Sequence, residues 1–405
     1  MTTKIREPRI LVDDLPAEHL GELEFLWDQR DSMMRSGDHL GSHLAIIEQR
    51  LEANACGLEV APRIALPVLE EAVAGPETSL AAAAAWALLR IGGERALQAV
   101  LGVLESGEPP AREGVRQALL SGPATEILGR VRKLASSADP AVGVTVAEVL
   151  AAHGASDRAR ALPAWLADPA AAVRSGACRL ASWTASGAAE LEGVARADAD
   201  AGVREAAFEA GLWLRAPWVM ALGRERARAP GHADPGLLVL FCAIAEPADA
   251  PLIAALAADA ALGPARWRAV AAYGSKASIE AALTGLGAKD AADAESAGRA
   301  FARMTGLELG AAKRVNLAAP TDGGPDAAEF ADEAFVPDPE LAKRRWEASR
   351  QQFETGKRWN RGGDVDRGGA SALSSADLAA RAECMLRARF RGTATPSRRE
   401  FLLLP

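Results

Sequence analysis

Apolar residues recur along most of the chain at steps of three and four, the spacing that places them on one face of an α-helix. Residues 173–181 are one example, with apolar side chains at Val173, Ala177, Leu180 and Ala181. Glycine-containing breaks such as His153-Gly154 end the helical segments, because glycine adopts the left-handed conformation of a helix C-terminus at little cost. The pattern predicts an all-α fold.

The helical segments repeat with a period of about 30 residues. Alignment on the apolar residue before an arginine or glycine gives seven anchors whose successive spacings are 31, 31, 31, 30, 34 and 28 residues. Two short helices cannot bury their apolar faces alone, so neighbouring units must stack. We therefore predict a helical-repeat solenoid, an α-α superhelix, over residues 61–317. The anchors are Leu80, Ala111, Val142, Val173, Val203, Leu237 and Ala265.

Two of these units carry an aspartate in the turn before the helix and an arginine in the first helical turn. The pairs are Asp168 with Arg174, and Asp198 with Arg204. An aspartate in the turn caps the helix by accepting from backbone N–H groups. The pattern resembles HEAT repeats, and the resemblance implies a ladder in which the aspartates and arginines of neighbouring repeats bond to one another. We interpret these four residues as structural, with ligand binding as the alternative.

The two ends of the chain differ from the repeats. Residues 1–60 predict an N-terminal helical cap of two helices, Ala17–Ser36 and Asp38–Ala55, because a terminal repeat would otherwise expose its apolar face. Residues 318–340 are turn-rich and predict a linker. Residues 341–405 predict a small helical appendage with helices over Pro339–Thr355 and from about Asp377 to Arg389, followed by a short helix after Thr395-Pro396.

Composition supports the helical interpretation and locates the charge. Hydrophobic residues make up 49% of the chain but aromatic residues only 5%, so alanine and leucine, which favour helices, supply most of the apolar content. The net charge is −8, yet residues 341–405 hold fourteen Lys and Arg against seven Asp and Glu. An acidic body of −15 therefore precedes a tail of +7. The acidity of the body disfavours a nucleic-acid partner, because phosphate binding needs a basic surface.

Cysteine usage and the apolar runs bear on the compartment. The four cysteines lie far apart, which suits reduced thiols in a cytoplasmic protein better than a disulfide framework. Residues 1–7 contain no apolar segment typical of a secretion signal. The longest apolar runs, Leu80–Leu89 and Leu237–Ala245, are half of the ~20 residues that a membrane-spanning helix requires. We expect a cytoplasmic protein without membrane insertion.

Motifs of common catalytic sites are not found in the sequence. Gly356-Lys357 lacks the leading glycine and the following Ser or Thr of a phosphate-binding loop. His39 and His43 lie four residues apart, as two zinc ligands on one helix would, but zinc normally takes three or four protein ligands. We interpret these histidines as surface or capping residues, and expect no metal, no cofactor and no catalytic residue.

The basic tail is the best candidate for partner binding. Its cations alternate with aromatic residues in two clusters, Arg344, Arg345 and Trp346, and Lys357, Arg358 and Trp359. Arginine with tryptophan is typical of protein interfaces, and also of sites that stack nucleic-acid bases. The same residues suit docking onto the acidic body, with the tryptophans buried. All three interpretations remain open at this point.

Further landmarks occur along the chain at Phe25–Arg30, His43–Asn54, Phe301–Leu309, Trp346 and Phe353–Trp359. With the repeat, they resemble an uncharacterised bacterial HEAT-repeat family whose members are often encoded near type VI secretion genes. Residues 54–57, Asn-Ala-Cys-Gly, depart from the His-Leu-Asp-Gly of that family. The resemblance implies a non-enzymatic scaffold or adaptor that binds a protein partner, in assembly or effector loading. The alternatives are a HEAT-like enzyme or nucleic-acid-binding protein of the DNA-glycosylase type, and a nucleic-acid regulator acting through the tail.

Overall fold

The computed structural model describes residues 10–123, 125–155, 161–229, 234–316, 333–366 and 374–394. These residues form twenty α-helices and two short two-stranded antiparallel ribbons. The all-α prediction is confirmed, since strands are confined to the two ribbons. None of the described helices has the length and apolar character needed to cross a bilayer.

The chain divides into two compact units, Met1–Gly187 and Ala188–Pro396. The boundary lies inside the segment 61–317 that the sequence predicts as one array. The segment predicted as an N-terminal cap belongs to the first unit. The described parts of the predicted appendage, 341–366 and 374–394, belong to the second unit and share its core.

The described part of the first unit holds ten helices. The predicted cap helices are present with different bounds, because α1 begins at Ile10 and α2 extends to Val60. The sequence also predicts a short helix over Arg158–Leu166, of which residues 158–160 lie outside the described residues. The helices are α1 Ile10–Ser36, α2 Gly41–Val60, α3 Pro62–Val73, α4 Thr78–Ile91, α5 Gly93–Ser106, α6 Pro109–Ser121, α7 Leu128–Leu134, α8 Pro140–Ala152, α9 Leu162–Leu166 and α10 Ala171–Thr184.

Small residues set the spacing of α4 and α6 in this unit. Ala81–Ala85 are all buried, so the α4 backbone lies close to its neighbours. A β-carbon at Gly114 of α6 would lie 2.5 Å from the carbonyl oxygen of Thr78 and 2.7 Å from the backbone nitrogen of Ala82. Leucines fill the space on either side, including the fully buried Leu88 and Leu119. Alanine and glycine here allow close packing of the helix backbones.

The second unit holds ten further described helices and four strands. The helices are α11 Ala188–Ala197, α12 Ala201–Trp213, α13 Trp218–Arg228, α14 Pro235–Ile244, α15 Ala250–Ala258, α16 Arg266–Tyr273, α17 Lys276–Gly285, α18 Ala291–Thr305, α19 Pro339–Ser349 and α20 Leu378–Arg391. Short 3₁₀ turns occur at Pro247–Asp249, Ala260–Ala265 and Arg350–Gln352. The strands are β1 Ala311–Asn316, β2 Glu333–Pro337, β3 Trp359–Asn360 and β4 Gly363–Asp364.

The two ribbons lie in segments for which the sequence predicts no strand. β1 pairs antiparallel with β2, with Arg314 opposite Phe335 and a register shift between Ala311 and Lys313. β1 lies at the end of the predicted array 61–317, and β2 lies in the predicted linker 318–340, whose residues 318–332 lie outside the described residues. β3 pairs with β4 within the predicted appendage 341–405. The predicted helix after Thr395-Pro396 lies outside the described residues.

The seven anchors have a regular place in the helices. Leu80, Ala111, Val142, Val173, Val203 and Leu237 are each the third residue of their helix, in α4, α6, α8, α10, α12 and α14. Ala265 differs, because it ends a 3₁₀ turn immediately before α16. All except Leu80 and Ala265 are buried.

Candidate functional site

The aromatic residues of the tail lie in the core of the second unit. Trp346 of α19 is 3% exposed and packs against Phe301 of α18, with ring centroids 6.2 Å apart. Phe353 continues the stack, 5.1 Å from Trp346 and 4.9 Å from Trp359. The indole N–H of Trp359 donates to the carbonyl oxygen of Glu354. Trp346 and Trp359 are therefore part of the packing of this unit.

Arg358 lies against the C-terminal end of α14. Its guanidinium donates to the carbonyl oxygens of Cys242 at 3.2 Å and Ala243 at 3.0 Å, and also to Ala245. Its charge stacks 4.6 Å from the ring centroid of Tyr273. The last carbonyls of a helix lack partners within the helix and carry partial negative charge, so a buried cation there is stabilising. Burial lowers the pKa of Arg358 to about 10, which leaves it charged at neutral pH.

The other three candidate cations, Arg344, Arg345 and Lys357, are exposed or partly exposed. Arg344 is exposed, and Arg345 donates to the carbonyl oxygen of Glu308. Lys357 lies 2.7 Å from Glu354 and 3.7 Å from Asp364. Of the six residues proposed for partner binding, the structure thus buries Trp346, Arg358 and Trp359 and leaves Arg344 open to solvent. The contacts of the three buried residues are those of intramolecular docking.

Backbone bonds fix the tail to two helix ends. The amide of Trp359 donates to the carbonyl oxygen of Gly274 at the end of α16, at 2.8 Å. The amides of Arg361 and Gly362 donate to Arg303 and Met304 at the end of α18, at 2.7 and 3.0 Å. The chain thereby satisfies helix carbonyls that have no partner inside their own helix.

A buried ionic network, which sequence reasoning missed, lies beside these bonds. Arg303 of α18 donates to Asp377 at 3.0 Å and to Glu383 at 3.0 Å. Asp377 also accepts from Asn360 at 2.7 Å and caps α20 through the amide of Ala380. Burial and the nearby Asp377 raise the pKa of Glu383 despite its bond to Arg303. The adjoining cavity is about 10 Å³, the size for one water molecule.

The predicted ladder residues lie at the turns between helices. Arg174 donates to the carbonyl oxygens of Asp168 and Pro169, at 2.8 and 2.9 Å. Arg204 does the same to Asp198 at 2.6 Å and Ala199 at 3.1 Å. The carboxylates of Asp168 and Asp198 each accept from a backbone amide two residues later.

In three units, the arginine directly after the anchor also bonds to a carboxylate near the start of a later helix. Arg112 lies 3.3 Å from Asp139, Arg204 bonds to Asp234, and Arg266 lies 2.6 Å from Asp293. The partners are 27, 30 and 27 residues apart in sequence. Arg112 and Arg266 also donate to carbonyls of the preceding turn. The sequence predicts this role for Asp168, Arg174, Asp198 and Arg204, and the bond from Arg204 to Asp234 is one example of it.

The first unit contains an open cleft of about 220 Å³ between α1, α6, α8 and α10. Half-buried Met34 and Leu120 supply apolar walls. The buried Trp27 lies beside them and donates to the side-chain oxygen of Gln117 at 3.2 Å. Three guanidinium groups, of Arg30, Arg116 and Arg179, line the same cleft with the carboxylates of Asp31 and Glu148. The lining therefore carries a net positive charge of one.

Glu148 holds two of these arginines in place. It is 2% exposed and accepts from Arg116 at 3.2 Å and from Arg179 at 3.1 and 3.2 Å. Burial alone would raise the pKa of Glu148, but the attraction of Arg116 and Arg179 outweighs it and holds the pKa below its usual range. Arg116 also bonds through two nitrogens to Glu113. The network is charged and rigid at neutral pH.

No model of a known protein family and no curated protein matches the chain. Among solved structures, the chain is similar to the crystal structure of an engineered protein. The sequence identity is 14%, over 90% of this chain and 98% of that chain, and the TM-score is 0.28. A likeness at this score carries no information about fold or function.

The surroundings of two histidines and two cysteines bear on metal and thiol chemistry. The rings of His39 and His43 meet edge to face at 6.2 Å. Within the described ranges, no group of three His, Cys, Asp or Glu side chains is placed to hold a metal ion. Burial raises the pKa of the Cys242 thiol to about 12 and that of Cys384 to about 11, so both are protonated at neutral pH.

The cleft was missed by sequence reasoning. Its residues come from positions up to 152 apart, and each has an ordinary place on an amphipathic helix. One sequence feature overlaps the cleft lining: the landmark segment Phe25–Arg30 contains Trp27 and Arg30.

Proposed function

We propose that this protein is a non-enzymatic, HEAT-like helical-repeat scaffold that binds a protein partner. One observation carries the proposal: arginines that directly follow an anchor bond to carboxylates 27 to 30 residues later, from Arg112 to Asp139, Arg204 to Asp234 and Arg266 to Asp293. The anchors at the third residue of six helices support the same equivalence of units. Stacked helical units offer an extended surface, and such surfaces bind proteins.

The chemistry of the tail supports a protein partner over nucleic acid. Trp346, Trp359 and Arg358, the residues best suited to stack on bases, are buried against the second unit. Many described surface arginines are paired with carboxylates, as Arg95 is with Glu70 and Arg130 with Glu94. Such paired charges leave little net positive potential for a phosphate backbone.

The resemblance of the sequence landmarks to a family encoded near type VI secretion genes suggests the setting. We propose that the partner is a component or an effector of a type VI secretion system, which the scaffold holds during assembly or loading. We also propose a cytoplasmic location, which suits this role.

Affinity capture tests the proposal. The tagged full chain is purified from its native cell under gentle conditions, passed over a sizing column, and analysed by quantitative mass spectrometry beside an untagged strain. We expect a secretion component or effector to co-elute with the chain at fixed stoichiometry. Elution of the chain alone, or tight and salt-sensitive binding of duplex DNA, would contradict the scaffold function.

A further inference from the structure

We propose that the cleft of the first unit binds one glutamate side chain of the protein partner. The proposal rests on the scaffold function and adds the chemistry that one of its sites recognises. The residues concerned are chiefly Arg30 and Arg179, neither of which the sequence predicts as a binding residue.

Free hydrogen-bond donors in the cleft point to an anionic ligand. Arg30 uses its Nε atom on Glu48 at 3.3 Å, and its two Nη atoms bond to no other described residue. Arg179 uses Nε on Glu148 and Nη1 on Ser175 at 3.2 Å, which leaves Nη2 without a described partner. The side chains of Arg30 and Arg179 are 14% and 31% exposed, so these donors are reachable from the cleft. Guanidinium groups bind carboxylates strongly because their parallel N–H groups match the two oxygens.

The acceptors of the cleft are already occupied, which disfavours a cationic ligand. Both oxygens of Glu148 accept from arginines. Asp31 lies 3.1 Å from Arg35 of the same helix. A cationic side chain entering the cleft would find the carboxylates of Glu148 and Asp31 already paired with arginines.

Volume and charge restrict the ligand to a single side chain with one negative charge. The space of about 220 Å³ is below the roughly 300 Å³ at which pockets for drug-sized molecules begin. The methylene groups of a glutamate would contact Met34 and Leu120 while its carboxylate reaches the arginines. A dianion such as a phosphate would gain less, because Asp31 and Glu148 lie in the same lining.

Peptide binding to the full chain tests the site directly. The probe is a fluorescein-labelled, end-capped Ala-Ala-Glu-Ala-Ala peptide, and the matched control carries glutamine in place of glutamate. Polarisation at low ionic strength is expected to show saturable binding of the glutamate peptide, at least roughly tenfold tighter than the glutamine peptide, since a hydrogen-bonded charge is at stake. Equal affinities for the two peptides would overturn the proposal. So would tighter binding of a phosphoserine peptide.

Variants locate the binding. Arg30→Gln removes two free donors without leaving a buried carboxylate unpaired, and is expected to weaken the glutamate peptide roughly tenfold. Met34→Glu places a competing carboxylate in the cleft and is expected to abolish binding while every arginine remains. Arg50→Gln is the control, because Arg50 is half exposed on α2, pairs with Glu22 and lies outside the lining. Unchanged binding in both Arg30→Gln and Met34→Glu would place the peptide elsewhere.

Repeating the affinity capture with Arg30→Gln separates the two proposals. If the native partner is captured equally well by Arg30→Gln and by the unaltered chain, the scaffold function stands and the cleft assignment fails. If neither captures a partner, the scaffold function fails whatever the peptides do.

Discussion

Arg358 shows how one side chain can decide the role of a whole segment. It was a candidate for binding phosphate or a partner, because it lies between Lys357 and Trp359. In the structure it donates to three carbonyls at the end of α14 and stacks on Tyr273. A buried guanidinium with these bonds is a fixed part of the unit and is not available to a partner.

Replacement of Arg358 should destabilise the second unit. Arg358→Ala leaves the carbonyls of Cys242, Ala243 and Ala245 without this donor and opens a cavity, at a cost of about 3 kcal/mol. Urea denaturation measures the free energy of unfolding, and hydrogen exchange of α14 locates the loss. Arg344→Ala is the control, since Arg344 is exposed and a change within about 0.5 kcal/mol is expected. Equal effects of the two substitutions would contradict the anchoring role.

Glu148 gives the first unit a pH-dependent stability whose sign follows from its pKa. The folded pKa lies below the ordinary value of 4.5, so folding favours the charged form. This contribution is present above about pH 4.5 and is lost as the pH falls through the folded pKa. The loss occurs on the acid side.

Glu148→Gln tests that sign. It leaves Arg116 and Arg179 facing a neutral amide, which should cost about 3 kcal/mol at pH 7. Below pH 4.5 the difference from the unaltered chain should shrink, because Glu148 itself becomes protonated there. Urea midpoints measured from pH 7 to pH 3 follow the difference. A gap that stays constant over that range would rule out a charged Glu148.

At the level of elements, helix starts could be predicted and long-range docking could not. Helix starts are encoded by neighbours in sequence, as when Asp139 accepts from the amide of Ala141 and Pro140 occupies the first position of α8. The docking of Arg358 joins residues 113 to 116 apart. Nothing local in residues 357–359 distinguishes that contact from a contact with another molecule.

The ribbon of β1 and β2 was missed for a related reason. The segment before β2 is rich in turn residues, and strand pairing depends on a partner that lies outside a short sequence window. In the second unit, β2 also packs close to α18, and a β-carbon added at Gly298 would clash with the ring of Pro337. The helical periodicity of α18 does not indicate that a strand lies close to this glycine.

Because α4 and α6 come close together at Gly114, two glycine-to-alanine substitutions in the first unit are expected to change its stability in opposite directions. Gly114→Ala forces α6 away from α4 and should destabilise the first unit by about 1–3 kcal/mol. Gly102→Ala in α5 meets nothing within 4 Å and should stabilise it by about 0.5–1 kcal/mol, because alanine favours the helix. Thermal and urea unfolding measure both. Destabilisation by both substitutions to the same extent would show that backbone approach at Gly114 is not the cause.

At the level of the whole molecule, the basic tail belongs to the second unit. Its Trp346, Phe353 and Trp359 share one core with Trp267 and Phe301. The first unit has a separate core that includes Leu26, Leu88 and Leu119. The sequence has an acidic body and a basic tail. In the structure, ion pairs such as Arg303 with Asp377 and the shared aromatic core attach the tail within the second unit.

Truncation tests whether the tail completes the fold of the second unit. The fragment 188–405 retains Trp346, Phe353 and Trp359 and is expected to unfold cooperatively, with the near-ultraviolet circular dichroism of packed aromatic rings. The fragment 188–340 exposes the faces of α16 and α18 that these rings cover, so we expect aggregation or binding of a hydrophobic dye. The fragment 1–187 is the control. Its core holds no tail residue among those described, so loss of the tail should leave the stability of this unit unchanged. Cooperative unfolding of 188–340 with unchanged stability would show that the tail is dispensable for this unit, and would return Trp346 and Trp359 to the list of residues available to a partner.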